Sequence, residues 1–236
     1  MPASPGQIGL ETPPRMELIL NFHGIGDPRE GVPDEERPYW CSRELWPALA
    51  DSMAEVSARG EVALWITFDD GNVSDLEHGL PALLERGLAA TFHICAGRIG
   101  HPGYLSGDQL RALSDAGMRI GSHGWDHVDL RRVTARELER ESVAARARIA
   151  AASGVQITEF AIPFGSYDRR VLRSLRDFGT VYTSDHALAP REGWLRPRLS
   201  YRNGWSAEDI GRFAADRSSP LERFAQRTRL LFKSLR

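Results

Sequence analysis

Two hydrophobic rhythms alternate along the chain. Short continuous apolar runs at residues 17–22, 62–66, 88–94, 118–122, 157–162 and 180–183 predict strands, and a weaker one covers 195–201. Between them, apolar positions spaced by three and four residues predict helices. Ser42 opens one through Leu45, Leu49, Met53 and Val56, and Gly60 stops it. Asp75 caps the next, with Leu76, Leu80, Leu83 and Leu84 on one face and Gly87 at its end. Ser106 with Gln109 and Thr134 with Glu137 make capping boxes, and the second opens a long Ala- and Arg-rich helix ending near Gly154. Asp168 caps a helix through Val171, Leu172 and Leu175, and Ser206 and Pro220 start two more. The repeated order of strand, loop and helix implies parallel strands joined by crossover helices. An open doubly wound sheet and a closed barrel both satisfy it, and in either the carboxyl ends of the strands converge on one mouth.

At 236 residues the chain can bury one sizeable core. A formal charge of −2 gives no reason to expect nucleic acid as a partner. Cys41 and Cys95 lie far apart in apolar surroundings, so no disulfide framework is expected. Residues 1–15, rich in Pro and Gly, lack the basic start and apolar run of a signal peptide and read as a disordered leader. No apolar run approaches the roughly twenty residues that span a bilayer, and the expected location is the cytoplasm. Residues 220–236 read as a separate basic helix. Within 221–236, Arg223, Arg227, Arg229, Lys233 and Arg236 stand against a single acid, Glu222, with Phe224, Leu231 and Leu235 on one side. Such a helix suits either peripheral contact with an anionic membrane or a solvated cover over the end of the domain.

Three unusual stretches fall at predicted strand ends. Thr67-Phe68-Asp69-Asp70-Gly71 closes the second strand. Consecutive strand residues point to opposite faces, so Asp69 and Asp70 share a pocket only if the chain bends at Gly71. In Ser122-His123-Gly124-Trp125-Asp126-His127 the two histidines are four apart, a spacing that on a helical turn brings both imidazoles within reach of one metal ion. Two histidines and a carboxylate leave positions open on such an ion, which polarises a carbonyl and acidifies water. A carboxylate beside the ion can then take the proton. A backbone N–H after Pro163, in Ala161-Ile162-Pro163-Phe164-Gly165, is placed to steady an oxyanion. These parts suit hydrolysis of an amide or ester. Each also has a plain structural reading, as a polar turn or as two surface histidines in a Gly-rich loop. Trp125 and Trp194 are candidates for an aromatic floor under a sugar ring. His186 ends a strand at the same mouth and is a candidate substrate contact, whereas His93 reads as a packed core histidine.

In order and spacing the three stretches resemble the first three motifs of the polysaccharide deacetylase family, carbohydrate esterase family 4, over about residues 62–200. The resemblance implies a single-domain α/β fold over residues 16–219, an irregular (β/α) barrel of about seven parallel strands. It also implies metal-dependent removal of N- or O-acetyl groups from sugars. By position Asp69 resembles the family's catalytic base, Asp70, His123 and His127 its metal ligands, and Phe164 its backbone oxyanion donor; Zn2+ is the expected ion. Many members begin the third motif with an arginine that orients the catalytic Asp, and this chain has Ala161 there. Many carry a late histidine that protonates the leaving amine, and this chain has none after His186. His23, at the end of the first strand, is the expected substitute acid, because closing a barrel sets the first strand beside the last. Arg196 or Arg198 is the expected substitute for the arginine, and Arg198 is also a candidate substrate contact. The expected partner is an acylated sugar, in a glycan precursor or linked to a lipid or nucleotide. A deformylase or related amidohydrolase, and a sugar-binding protein without turnover, are the alternatives.

Overall fold

The structure, a computed structural model, describes residues 16–190 and 193–215; the expected leader at 1–15 and basic helix at 220–236 lie outside the described residues. Six strands, β1 (Met16–Phe22), β2 (Ala63–Phe68), β3 (Ala90–Ile94), β4 (Arg119–Ser122), β5 (Glu159–Ala161) and β6 (Thr180–Thr183), pair in chain order and all run parallel. A short β7 (Ala189–Pro190) lies antiparallel to the start of β1. The expected last strand is broken in two at Arg198. β8 (Leu195–Pro197) pairs with β6, and β9 (Leu199–Ser200) pairs with β1. A single run of chain thus touches both the last and the first strand and nearly closes the barrel, giving the single-domain α/β architecture expected.

Strand parity decides what fills the barrel. Leu18, Leu20 and Phe22 of β1, with Ile66 and Phe68 of β2 and Phe92 of β3, belong to the large core beneath the helices. The alternate residues face the other way. Ile19, Ala161, Tyr182 and Ala189, with Trp65 against them, form a small cluster inside the barrel, and the polar Asn21, Thr67 and His93 are buried with the same parity. The interior is therefore apolar at one level and polar at the level below the mouth.

The helices follow their caps, with two exceptions. Ser42 Oγ accepts from Leu45 N, but α1 (Trp46–Arg59) begins only after that turn and ends at Gly60 with φ 66°. Asp75 does not cap the next helix: it is buried as the first residue of a π turn, Asp75–Gly79, that runs into α2 (Leu80–Glu85). Both capping boxes form, at α3 (Gly107–Asp115) and α4 (Ala135–Glu139). A π segment, Arg140–Ala144, joins α4 to α5 (Ala145–Ser153). Asp168 accepts from Val171 N at 2.9 Å to cap α6 (Arg169–Ser174), and α7 (Ala207–Ala215) packs on α1. Among the described residues, no helix is long and apolar enough to cross a membrane.

Candidate functional site

Asp69 continues the inward parity of Trp65 and Thr67, so its side chain enters the top of the barrel and is buried. Arg198 meets it from the break between β8 and β9. The guanidinium grips the carboxylate with two bonds, Nη1 to Oδ1 at 2.8 Å and Nη2 to Oδ2 at 2.7 Å. Asn21 Nδ2 donates to Oδ2 at 3.0 Å, and His93 Nδ1 lies 3.2 Å from Oδ1. Arg198 is itself held by Asn21 Oδ1 and Thr67 Oγ1, at 3.0 and 3.1 Å. Burial alone would raise the pKa of Asp69, but the charge of Arg198 and these hydrogen bonds hold it well below the usual carboxylate range. Ala161 sits inside the barrel beside Ile19 and Tyr182. The guanidinium that its position lacks reaches Asp69 from another strand.

Asp70 leaves the strand. The bend expected at Gly71 already begins at Asp70, and both residues have φ 76°. This left-handed step swings the second carboxylate towards the mouth. His123 extends β4, and its Nδ1 is 2.8 Å from the carbonyl oxygen of Ala161, an acceptor that puts the ring proton on Nδ1 and leaves Nε2 a lone pair. That Nε2 is buried without a hydrogen-bond partner among the described residues, 3.9 Å from Asp70 Oδ1 and 3.8 Å from Asp69 Oδ2. His127 Nε2 lies 3.5 Å from Asp70 Oδ1. The segment that brings the histidines together is a loop and not a helical turn: Gly124 and His127 take φ 83° and 56°, and the two rings stand 5.0 Å apart. Glu141 of the π segment braces this loop, accepting from Trp125 N at 2.6 Å and Asp126 N at 3.2 Å.

One ligand atom from each of Asp70, His123 and His127 lies within 4.8 Å of the others. Burial depresses the pKa of His123 to about 3 and lowers that of His127. Burial works against the charge of Asp70, but His127, His123, His23 and Arg98 outweigh it and lower its pKa. An orphaned imidazole nitrogen, a second neutral imidazole and an ionised carboxylate fit a divalent ion such as Zn2+. Arg98 Nη1, 3.1 Å from Asp70 Oδ1, and Cys95 Sγ, 3.9 Å from it, complete the surroundings of that carboxylate.

His23 stands at the mouth end of β1 with its ring 5.2 Å from Tyr39 and its Nδ1 buried and unpartnered among the described residues. It is a near neighbour of both Asp70 and His127. Phe164, 57% exposed, has φ 57°, and its ring lies 4.5 Å from that of His127. His186 is exposed with φ 44°, its N–H donating to Arg198 O at 3.1 Å. Asp70, His127, Phe164 and His186 are the non-glycine residues with left-handed φ among the described residues, so the backbone's strained positions gather at this mouth.

Two expected substrate contacts fall elsewhere. Arg198 is fully buried against Asp69 and presents nothing to a ligand. Trp194 precedes β8 and donates from Nε1 to Phe178 O at 2.7 Å, which sets it at the amino end of the strands, opposite the mouth. Trp125 stays at the mouth, in the loop between His123 and His127, half-buried on Gly97 with the Arg140 guanidinium 4.7 Å from its ring centroid. Arg196, the other candidate for the missing arginine, pairs with Glu17 at 2.7 Å, again away from the mouth. The sequence pattern assigns no role to Asn21, Thr67 and Glu141, and it places His93 in the core. Inward parity, extended from Asp69 to its neighbouring strands, would have singled out Asn21, Thr67 and His93.

The family model for polysaccharide deacetylase matches residues 57–183. A relative from Bacillus subtilis (strain 168), "Putative polysaccharide deacetylase YxkH", is 28% identical over 219 residues, covering 87% of this chain and 78% of the relative. Solved structures share the fold. The Streptococcus pyogenes deacetylase PplD, in complex with acetate, superposes with a TM-score of 0.74 at 18% identity, over 85% of this chain and 99% of its own. BC0361, a polysaccharide deacetylase from Bacillus cereus, gives 0.73 at 18% identity, over 84% of this chain and 69% of its own. The matched segment spans more than half of the chain and carries Asp69, Asp70, His123, His127 and Phe164, and the chain belongs to the polysaccharide deacetylase family.

Proposed function

We propose that this chain is a metal-dependent hydrolase, with Zn2+ as its ion, that removes an N-acetyl group from a sugar of a glycan or glycan precursor. The observation that carries this reading is the convergence of Asp70, His123 and His127 within 4.8 Å, beside an Asp69 clamped by Arg198. When bound, a divalent ion supplies Lewis acidity, polarising the acyl carbonyl and lowering the pKa of water. Asp70, His123 and His127 hold it. Asp69, kept ionised by Arg198, takes the proton from the attacking water. The backbone N–H of Phe164 steadies the oxyanion, and the exposed Phe164 ring gives the sugar an apolar face. His23 passes a proton to the leaving amine. A sugar binder without turnover was the rival because the third motif lacks its arginine and the chain lacks a late histidine; a guanidinium on Asp69 answers the first absence, and His23 is the proposed answer to the second.

Acid release from N-acetylated and N-formylated chitooligosaccharides by the zinc-loaded protein tests the reading. Acetate is expected from the acetylated chains, with a loss of about 100-fold or more in His23→Ala at unchanged metal content. An unchanged rate in that variant removes His23 from the mechanism. Preferential formate release moves the chain to the deformylases, and glycan binding without release of either acid overturns hydrolysis altogether.

A further inference from the structure

Behind the Asp69–Arg198 pair lies a buried imidazole that the reaction above leaves unused. His93, on β3, has the inward parity of Asp69, and its Nδ1 is 3.2 Å from Asp69 Oδ1. Gly121 on β4 makes room for the ring: a Cβ there would stand 2.4 Å from His93 Cδ2. Tyr182 meets the ring edge-on with centroids 5.1 Å apart. On its far side Nε2 faces Glu159 Oε2 at 3.9 Å and has no hydrogen-bond partner among the described residues. Glu159 is held in turn by Arg119 and by the Tyr182 hydroxyl, which donates at 3.2 Å.

This arrangement selects one form of the ring. An ionised carboxylate only accepts, so the contact at Nδ1 requires a proton on that nitrogen. A proton on Nε2 would find no acceptor within hydrogen-bond range, and burial disfavours the doubly protonated ring. His93 is therefore the neutral Nδ1–H tautomer. Asp69 Oδ1 then receives two donors from inside the barrel, Arg198 Nη1 and His93 Nδ1. Oδ2, 3.8 Å from His123 Nε2, is the oxygen that borders the metal-ligating residues.

We propose that His93 is a positioning residue for Asp69: its Nδ1–H is the second donor on Oδ1, as Asn21 Nδ2 is on Oδ2, and it keeps the carboxylate turned so that Oδ2 borders His123 Nε2, where the reacting water is met. The inference rests on Asp69 being the base. Glu159 and Tyr182 set the angle of the ring from behind, and Gly121 gives it space. Removing the donor leaves the Arg198 clamp intact but frees the carboxylate to turn and opens a lone pair on Oδ1, the oxygen farther from the metal-ligating residues.

Nitrogen NMR of the imidazole in the full-length protein reads the tautomer directly, and two substitutions read its consequence. His93→Leu removes the donor, whereas His93→Asn returns an amide N–H close to the place of Nδ1. The expected results are an Nδ1–H tautomer, and a kcat about ten-fold lower or more in His93→Leu with KM and metal content near wild type. His93→Asn recovers most of the rate, which a purely space-filling role would not produce. An Nε2–H or doubly protonated ring, or an undiminished kcat in His93→Leu, overturns the inference. If the leucine variant fails to fold, the wild-type tautomer and the rate of His93→Asn decide. A wild type that releases no acid defeats the proposed function, while the tautomer still judges the contact by itself.

Discussion

Arg198 and Asp69 carry opposite charges away from bulk solvent, and such a pair is costly to halve because the remaining charge stays buried. Arg198→Met is predicted to lower stability to denaturant by roughly 3–5 kcal/mol and to depress kcat, while the metal content persists because Asp70, His123 and His127 remain. Arg198→Lys keeps the charge but not the two-bond grip and should fall between the two. His123 makes a separate prediction for the metal-stripped protein. Its pKa falls from about 6.5 to about 3 on folding, so the unfolded chain takes up the proton more readily. Stability is then full above about pH 6.5 and drops as pH falls from there towards 3, by about 2 kcal/mol between pH 7 and 5. Urea unfolding at the two pH values checks this, and His123→Asn should flatten the dependence. An equal slope in both proteins would mean that the ring is not buried neutral.

The elements that carry the site are joined at irregular points. The π segment Arg140–Ala144 places Glu141 inside, where its carboxylate braces the loop between His123 and His127. Glu141→Leu is predicted to weaken zinc affinity by about 10–100-fold in a chelator competition, with unchanged secondary structure. Thr134→Ala, which breaks the capping box of α4, should cost about 1 kcal/mol in stability and leave zinc affinity alone. The contrast separates bracing the loop from stabilising the helix. Strands and caps were legible because their signals are local: parity within a strand, or a cap and its partner three residues on. Asp75 and Glu141 were not, since a π turn shifts the helical register without marking the sequence. The left-handed loop at His127 was hidden for a similar reason, because spacing by four reads as a helical turn until φ is known. Trp194 was misplaced because pattern alone does not say at which end of the barrel a residue near a strand lies.

The barrel as a whole explains why the most distant parts of the chain meet at the site. Residues 195–200 pair with β6 and then with β1, and the switch between partners falls at Arg198, whose side chain enters the interior above Tyr182. Closure thereby converts a gap in the third motif into a guanidinium from the last strand, a substitution that no local window of sequence displays. Closure also sets β1, with His23 at its mouth end, beside β9. The polar layer of Asn21, Thr67, Asp69, His93 and Arg198 comes from three adjacent strands, β1, β2 and β3, and from the β8–β9 break that closure lays beside β1. The central claim is that Asp70, His123 and His127 form a metal centre, and the most direct measurement is metal content per chain in wild type, Asp70→Ala and His127→Ala. The account predicts about one tightly held divalent ion in wild type and its loss in both variants. No ion in wild type at near-physiological zinc, or undiminished content in either variant, would contradict it.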